Sequence, residues 1–242
     1  MVGLRHYADF EEVLSSYRVS DRAIKATQGL KLILLLAPTS AGKNTLIRHL
    51  VKADRYYNIV SDTTRPPRKN NGVIEQNGRE YWFRTEEEML ADLKSGELLE
   101  AEIIHHQQVS GISIRELEKA QRQGKIAITD TDPKGVRNIL KIKPDTIVIV
   151  LLPPSFEEWQ RRLATRGEMD PSEIKRRLET ARQVFKEALD NDYNFVISDD
   201  VADSAKILDR IAAGGPNSHQ DRGCQLVREL QLGLNQKLAA QL

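Results

Sequence analysis

The stretch Lys-Leu-Ile-Leu-Leu-Leu-Ala-Pro-Thr-Ser-Ala-Gly-Lys-Asn-Thr, residues 31–45, joins an apolar run to a loop of small residues. The apolar run is typical of a buried strand, and a helix is expected to begin near Asn44. Small residues let backbone N–H groups point at phosphate oxygens, and the Lys43 ammonium then reaches the outer phosphates. Thr45 offers a hydroxyl to Mg²⁺ or to a phosphate. The stretch therefore predicts a phosphate-binding loop between a strand and a helix.

The match to the pattern G-x-x-x-x-G-K-[ST] is incomplete. Ala37 stands at the position of the first glycine, and Asn44 stands at the Ser/Thr position. The alternative is an ordinary strand-to-helix turn that contains a Gly-Lys pair. The order of strand, loop and helix favours phosphate binding.

The composition excludes several classes of protein. A net charge of +1 over 242 residues gives no overall field that would attract nucleic acid or an anionic membrane. The single cysteine, Cys224, excludes an internal disulfide and a cysteine-rich metal site. No apolar run approaches the ~20 residues of a membrane span, and the first residues contain no apolar signal segment. We therefore expect a cytoplasmic protein that binds small molecules, with no nucleic acid and no membrane among its partners.

Short apolar runs alternate with helical patterns along the chain. Buried strands are predicted at Leu32–Leu36, Tyr57–Ser61, Ile126–Thr129, Thr146–Leu152 and Phe195–Ser198. Helices are predicted near 44–53, 86–95, 114–123, 133–141, 155–166 and 171–190. This alternation predicts the α/β class, with a doubly wound, parallel five-stranded sheet. Ligands of such sheets bind at the carboxyl ends of the strands, where Ser61, Asp130 and Ser198 lie.

Three regions are predicted from the patterns at the two ends. Residues 1–29 form an N-terminal helical extension, since Phe10, Val13, Leu14 and Tyr17 have helical spacing. Residues 30–213 form the core domain, with a small β-rich insertion at about 62–113 and a helical lid at about 160–180. Residues 214–242 form a helical tail, in which leucine recurs every fourth position at Leu226, Leu230, Leu234, Leu238 and Leu242. That stripe would pack on the core or pair with another chain, so a monomer and a homodimer both stay open.

A second anion site is predicted in the sequence Ser-Asp-Thr-Thr-Arg-Pro-Pro-Arg, residues 61–68. Arg65 and Arg68 offer planar forks that bind phosphate in a bidentate way, and Tyr81 adds a phenol at the far end of the loop. The alternative is a solvated basic loop. Two anion sites in one domain favour a phosphoryl donor and a phosphorylated acceptor.

Glu102 is a candidate for base recognition. It shares one face of a predicted strand with Glu100, because side chains alternate along a strand. A carboxylate held in a cleft accepts two parallel N–H bonds from a guanine edge, whereas adenine presents no such pair of donors. The alternative is an exposed strand carboxylate.

Asp130 and Asp132 follow an apolar strand, which is where phosphate-loop enzymes place a carboxylate that organises Mg²⁺. The alternative for Asp132 is a helix N-cap, since Pro133 suits the first helical position. Both interpretations can hold for these neighbours.

Arginines bracket a turn-rich loop between the helices predicted near 155–166 and 171–190. Arg166 precedes this loop and Arg177 follows it. The layout is typical of a helical lid that brings cations over phosphates, where arginines stabilise the charge of a transition state. The alternative is a pair of helices with solvated basic faces, which we expect for Arg161 and Arg176.

Together, these motifs resemble those of guanylate kinase, a phosphate-loop kinase that moves a phosphoryl group from ATP to GMP. The resemblance runs from about Gly29 to Asp209, and its landmarks occur in the family's order. They are the loop 37–46, the segment 60–68, the aromatic run 81–83, the pair 101–102, the acidic segment 130–139, the turn 152–155, the two arginines of the lid and the segment 196–200. Each motif alone is unspecific, whereas the ordered set is specific.

The resemblance implies a role for each candidate residue. ATP would bind Ala37, Pro38, Thr39, Ser40, Ala41, Gly42, Lys43, Asn44, Thr45 and Ser198. GMP would bind Ser61, Arg65, Arg68, Tyr81, Glu102, Ser113 and Asp132. The catalytic residues would be Lys43, Arg68, Arg166 and Arg177. The cofactor would be Mg²⁺ bound with ATP, and its ligands would be Asn44, Thr45 and Asp130.

Several positions depart from the family's pattern. Ser40 replaces a glycine of the loop, Asn44 lacks the usual hydroxyl, and Asp62 replaces a histidine or tyrosine. Ser110 replaces a tyrosine near the GMP phosphate, and Ser198 replaces the asparagine that contacts adenine. The resemblance implies transfer of the γ-phosphoryl group of ATP to GMP. The alternatives are an inactive guanylate-kinase-like module that binds a nucleotide or a protein, and a related kinase with another acceptor.

Overall fold

The computed structural model describes residues 3–70, 72–165 and 171–239. The chain divides into two compact units. The first unit consists of Met1–Lys31, Tyr57–Ala127 and Arg137–Asp145, and the second unit of Leu32–Tyr56, Ile128–Val136 and Thr146–Leu242.

Helices and strands alternate along most of the chain. In chain order, the elements are α1 (Tyr7–Ser15), α2 (Asp21–Thr27), β1 (Leu32–Leu36), α3 (Lys43–Val51), β2 (Tyr56–Asn58), β3 (Asp62–Thr63), β4 (Lys69–Asn70), β5 (Val73–Ile74), β6 (Trp82–Phe83), α4 (Glu86–Lys94), β7 (Leu98–Ile104), β8 (Gln108–Ser113), α5 (Ile114–Arg122), β9 (Ile126–Asp130), α6 (Pro133–Ile142), β10 (Ile147–Leu152), α7 (Phe156–Ala164), α8 (Pro171–Asp190), β11 (Asn194–Ile197), α9 (Val201–Ala212) and α10 (Gln220–Ala239).

A five-stranded sheet has the strand order β11-β10-β1-β9-β2. Strand β1 pairs in parallel with β10, and β10 pairs in parallel with β11. Every residue of β1 is buried, which is typical of a parallel sheet with both faces covered. The predicted α/β class with a parallel five-stranded sheet is confirmed. Strand β2 ends at Asn58 rather than at Ser61, because the backbone N–H of Val60 donates to the Glu116 carboxylate instead of to another strand.

The first unit has its own sheet of strand order β6-β3-β8-β7. A cluster of buried apolar side chains packs beside it and includes Phe10, Met89, Leu93, Leu98 and Val109. Phe10 comes from α1, which is the helix predicted near the N-terminus, and its side chain is fully buried. Strands β7 and β8 lie within the region predicted as a β-rich insertion, and they pair in antiparallel orientation.

Two helices were not predicted from the sequence. Helix α2 is short and begins after Ser20, whose hydroxyl accepts a hydrogen bond from the N–H of Ala23. Helix α9 begins after Asp200, whose carboxylate accepts from the N–H groups of Ala202 and Asp203. In addition, the segment 66–80 contains the short antiparallel hairpin of β4 and β5.

The C-terminal helix α10 packs within the second unit, against α7, α8 and β11. Leu226, Leu230 and Leu234 of the predicted stripe are buried, and Leu238 is half-buried. Leu242 lies outside the described residues. The described part of the stripe therefore packs on its own chain. Among the described helices, none combines the length and the apolar character that crossing a bilayer needs.

Candidate active site

The predicted phosphate loop connects β1 to α3 in the second unit. Gly42 adopts a positive φ of 101° at the N-cap of α3, and its carbonyl accepts the N–H groups of Thr45 and Leu46 at 3.1 and 3.0 Å. Helix α3 begins at Lys43, so its first N–H groups face the loop without partners in the helix. A helix N-terminus of this kind attracts phosphate.

Two neighbouring residues of the loop, Thr39 and Ser40, have unusual surroundings. Ser40 adopts a φ of 66°, a left-handed backbone conformation that residues other than glycine rarely adopt. Its hydroxyl is buried without a hydrogen-bond partner among the described residues. The neighbouring Thr39 carbonyl accepts a 2.7 Å hydrogen bond from the indole N–H of Trp159, a fully buried residue of α7. The loop is therefore anchored by α7 through the Thr39 carbonyl, and the Ser40 hydroxyl stays available for a ligand.

Lys43 and Asp130 meet at this end of the sheet. The ammonium of Lys43 lies 3.1 Å from the Oδ2 atom of Asp130, the last residue of β9. Asn44 and Thr45 are exposed at the start of α3. Asn44, Thr45 and Asp130 offer an amide, a hydroxyl and a carboxylate oxygen, which are donors of the kind that Mg²⁺ binds. In the described part of the chain, no three His, Cys, Asp or Glu residues cluster as a metal site made by the protein alone.

Asp132 caps helix α6. Its Oδ1 atom accepts a 2.7 Å hydrogen bond from the N–H of Gly135, as the N-cap interpretation predicts. Asp132 belongs to the second unit, whereas the other six residues predicted to bind GMP belong to the first. The structure thus shows a local structural role for this carboxylate.

Ser198 follows β11 and lies beside the phosphate loop. A Cβ atom built on Gly42 would be 3.8 Å from the Cβ of Ser198. The Ser198 hydroxyl donates to the Leu152 carbonyl at 3.0 Å. Arg162 of α7 donates to the same hydroxyl at 3.0 Å and to the Ser198 carbonyl at 2.9 Å. Arg162 therefore contacts a residue that was predicted to bind ATP, although sequence reasoning did not single out Arg162 itself.

Arg162 is itself held by Glu158, one helical turn earlier on α7. The guanidinium Nε of Arg162 donates to Glu158 at 2.7 Å. Hydrogen bonds from Arg161 and then from Arg162 lower the pKa of Glu158 to about 2. A signal was present in the sequence, since Arg162 belongs to the basic stretch that precedes the turn-rich loop of the predicted lid.

The predicted lid is only partly described. Arg166 lies outside the described residues. Arg177 lies on α8, where its Nε donates to Glu173 at 3.0 Å. Arg176 is exposed, and the side chain of Arg161 is 69 % exposed, as expected for solvated positions.

In the first unit, Arg65 is buried rather than solvated. Its guanidinium binds both carboxylate oxygens of Glu75, with Nη2 at 3.0 Å from Oε1, and each side chain is only 8 % exposed. The Tyr81 ring stacks on Arg65, with 4.6 Å between the guanidinium carbon and the ring centroid. Arg68 has an exposed side chain, and its backbone N–H donates to Glu75 at 2.9 Å. Glu75 thus fixes this basic segment, a role that sequence reasoning missed.

Three further predicted residues lie on or beside the sheet of the first unit. Ser61 is half-buried and precedes β3, and Glu102 is half-buried on β7, opposite Ser110 of β8. Ser113 ends β8, and its hydroxyl is buried without a hydrogen-bond partner in the described residues. The structure therefore brings Ser61, Arg65, Arg68, Tyr81, Glu102 and Ser113 into one unit.

Asp62 forms a buried charge cluster next to Ser61. Its side chain is fully buried and accepts from Arg115 at 2.9 and 3.0 Å and from Arg84 at 3.3 Å. Arg84 also pairs with Asp92 at 3.1 Å. Burial raises the pKa of Asp62 to about 6, although both arginines act in the opposite direction. The cluster joins β3 to the segments that start α4 and α5.

The loop after β1, with Lys43 beside a carboxylate at a strand end, defines a phosphate-loop nucleotide-binding protein of the α/β class. The family model described as guanylate kinase matches residues 29–213. A guanylate kinase of Nocardia farcinica is 35 % identical over 187 residues, which cover 76 % of this chain and 94 % of the relative. A guanylate kinase of Porphyromonas gingivalis is 36 % identical over 186 residues, which cover 75 % of this chain and 96 % of the relative.

A solved structure gives a similar result for the fold. The crystal structure of guanylate kinase from Anaplasma phagocytophilum matches with a TM-score of 0.58 at 24 % identity, over 79 % of this chain and 89 % of that chain. At this identity, the match shows the fold alone. On the family model and the relatives, the chain belongs to the guanylate kinase family. The family expected from the ordered motifs is confirmed.

Proposed function

We propose that this chain is an active guanylate kinase, which transfers the γ-phosphoryl group of ATP to GMP and yields ADP and GDP. The observation that carries the proposal is the pair of Lys43 and Asp130 at the mouth of the phosphate loop. This cation lies where it can bind the outer phosphates and neutralise the charge on a phosphoryl group in transfer. A module that only binds a nucleotide has no evident need for both anion sites and both arginines of the predicted lid. Family membership supports the same activity.

ATP would bind to the second unit through the loop 37–45. Backbone N–H groups at the start of α3 and the Lys43 ammonium would contact its phosphates. The buried hydroxyl of Ser40 supports this assignment, because it is a polar group that the described protein leaves unused. Ser198 and the Arg162 that contacts it would lie on the side of the donor base.

Mg²⁺ would bind together with ATP. The Thr45 hydroxyl, the Asp130 carboxylate and the Asn44 amide are suitable oxygen ligands. One or two of them would suffice, since Mg²⁺ bound to a nucleotide keeps water and phosphate as its other ligands. When bound, the ion neutralises charge on the phosphates.

GMP would bind to the first unit. Arg65, Arg68 and Tyr81 would hold its phosphate, and Ser61 would add a hydroxyl. The ion pair with Glu75 fixes the orientation of the Arg65 guanidinium. The Arg65 side chain therefore loses less conformational entropy when a phosphate binds beside it. Glu102 would accept two N–H bonds from the guanine edge, and Ser113 would contribute its unpaired hydroxyl.

The chemistry would rest on positioning and electrostatics. A phosphate oxygen of GMP forms a bond to the γ-phosphorus, the bond to the bridging oxygen of ADP breaks, and no covalent enzyme intermediate forms. Lys43, Arg68, Arg166 and Arg177 would stabilise the charge on the moving group. An arginine in such a position is worth roughly 10³-fold in rate.

An ADP-release assay with Mg²⁺ and ATP tests the proposal with GMP, AMP, CMP and UMP as separate acceptors. Turnover that depends on GMP is expected. Glu102→Gln replaces one acceptor oxygen with a donor, and it should raise the KM for GMP by about tenfold or more with little change in the KM for ATP. The matched control is Glu100→Gln on the same face of β7. Folded protein that binds GMP and turns over none of the four monophosphates would favour the inactive module instead.

A further inference from the structure

Strand β11 is at the edge of the five-stranded sheet. Side chains from residues 217–220, which follow α9, form hydrogen bonds with main-chain groups along this edge. The Asn217 amide donates to the carbonyl of Phe195 at 3.0 Å. The Gln220 side chain accepts from the N–H of Phe195 at 3.3 Å and donates to the carbonyl of Tyr193 at 2.9 Å. An edge strand normally presents such groups to solvent or to another strand. Here, side chains take the place of a neighbouring strand.

The same segment binds the end of β11 that leads to the ATP side. The Nδ1 atom of His219 accepts the N–H of Ile197 at 3.0 Å. Ile197 immediately precedes Ser198. Burial lowers the pKa of His219, which favours the neutral ring that this contact requires. The position of Ser198 is therefore set on one side by the C-terminal segment.

The second half of α10 packs on α7. A Cβ atom built on Gly233 would be 2.7 Å from the Phe156 ring, so only glycine allows this close approach. The Lys237 ammonium donates to the Gln160 side chain at 2.9 Å. Helix α10 thus holds the element that carries Arg162 and Trp159.

Strand β11 and helix α7, which residues 217–239 contact, both reach the phosphate loop. Strand β11 ends at Ser198, and α7 supplies the Arg162 guanidinium that binds it at 2.9 and 3.0 Å. Helix α7 also supplies Trp159, whose indole anchors the Thr39 carbonyl of the loop. The segment 217–239 lies beyond residues 29–213, the part of the chain matched by the family model.

We propose that residues 217–239 are a positioning element for the nucleotide donor, which holds β11 and α7 so that Ser198 and Arg162 stay in contact beside the phosphate loop. This inference rests on the proposed binding of ATP to the second unit. His219 and Gly233 are positioning residues, since neither touches the proposed substrate. Their loss should weaken the binding of ATP and leave the binding of GMP unchanged.

The first test compares His219→Ala with His219→Asn. Alanine removes the acceptor for the Ile197 N–H, whereas the asparagine oxygen can replace Nδ1 as acceptor. The KM for ATP should rise on the order of tenfold in His219→Ala, with the KM for GMP unchanged, and should return close to the wild-type value in His219→Asn. Equilibrium titration with a fluorescent ATP analogue should show the same order of affinities.

The second test perturbs the other end of α10 with Gly233→Ala. The added methyl group must displace Phe156, so the KM for ATP should rise as in His219→Ala. The matched control is Leu232→Ala, since this neighbouring side chain is 60 % exposed. A lower melting temperature with unchanged analogue affinity in both variants would overturn the inference, because that is the behaviour of a merely structural helix. Failure of the proposed function has a different signature, namely wild-type protein that does not turn over ATP with GMP. The analogue titration would still decide the inference in that case.

Discussion

The ammonium of Lys43 lies 3.1 Å from a carboxylate oxygen of Asp130. Lys43 is the first residue of α3, and Asp130 is the last residue of β9, which is the neighbour of β1 in the sheet. This ion pair holds the lysine at the end of the sheet where the nucleotide phosphates are proposed to bind. The removal of this lysine should therefore impair phosphoryl transfer.

Lys43→Ala should lower kcat by roughly 10²-fold or more, because it removes the cation proposed to stabilise the moving phosphoryl group. The melting temperature should stay within a few degrees of the wild type, since the lost ion pair is partly exposed. Initial rates with saturating ATP and GMP check the first point, and thermal unfolding checks the second. The matched control is Lys52→Ala at the other end of α3. Equal kcat values in the two variants would contradict the role of Lys43.

Ser40→Gly should be more stable than Ser40→Ala by roughly 1 kcal/mol. Both variants lose the buried hydroxyl, but only glycine relieves the positive φ of 66°. Denaturant unfolding of the two variants without nucleotide measures the difference. If alanine proved as stable as glycine, the loop would not be strained at this position.

Asp62 should make stability depend on pH in the direction opposite to that of most carboxylates. Its pKa is raised to about 6 in the folded protein, so the folded state binds a proton more tightly than the unfolded state. Between pH 7 and pH 5, the free energy of unfolding of the wild type should rise by roughly 1 kcal/mol relative to Asp62→Asn. Urea unfolding of both proteins at the two pH values tests this. A relative fall in wild-type stability at pH 5 would show that the arginines outweigh burial.

Arg65→Lys should raise the KM for GMP by about tenfold, because lysine cannot bind Glu75 and a phosphate through a planar fork. The KM for ATP should change by less than about twofold, since Arg65 belongs to the first unit. Steady-state kinetics with each substrate varied in turn measures both constants. Arg79→Lys in the same loop is the control, as its side chain is 54 % exposed. A parallel rise in both KM values would argue against a GMP-specific role.

The sheet could be predicted because its strands are continuous apolar runs that end at polar residues. Strand β1 was predicted with the bounds that it has, Leu32–Leu36, and the small residues after it identified the loop. Helix α9 was missed although Asp200 is a favoured N-cap and Ile207, Leu208 and Ile211 have helical spacing. The sequence therefore contained the signals for this helix, namely the N-cap residue and the apolar spacing.

Other features depend on tertiary structure and could not be predicted. Glu75 reaches Arg65 only because the hairpin of β4 and β5 folds back, and the hairpin is too short to have a clear strand pattern. Asp62 meets Arg84 and Arg115, which are 22 and 53 residues away. No local pattern specifies such pairs, since their geometry follows from how the sheet of the first unit is assembled.

The most direct test of the central claim follows the γ-phosphoryl group itself. The protein is incubated with Mg²⁺, GMP and ATP labelled with ³²P in the γ-phosphate, and the products are separated by chromatography. Transfer of this group to GMP predicts label in the β-phosphate of GDP for the wild type, and almost none for Lys43→Ala. Label that stays in ATP, or that appears only in inorganic phosphate, would contradict it.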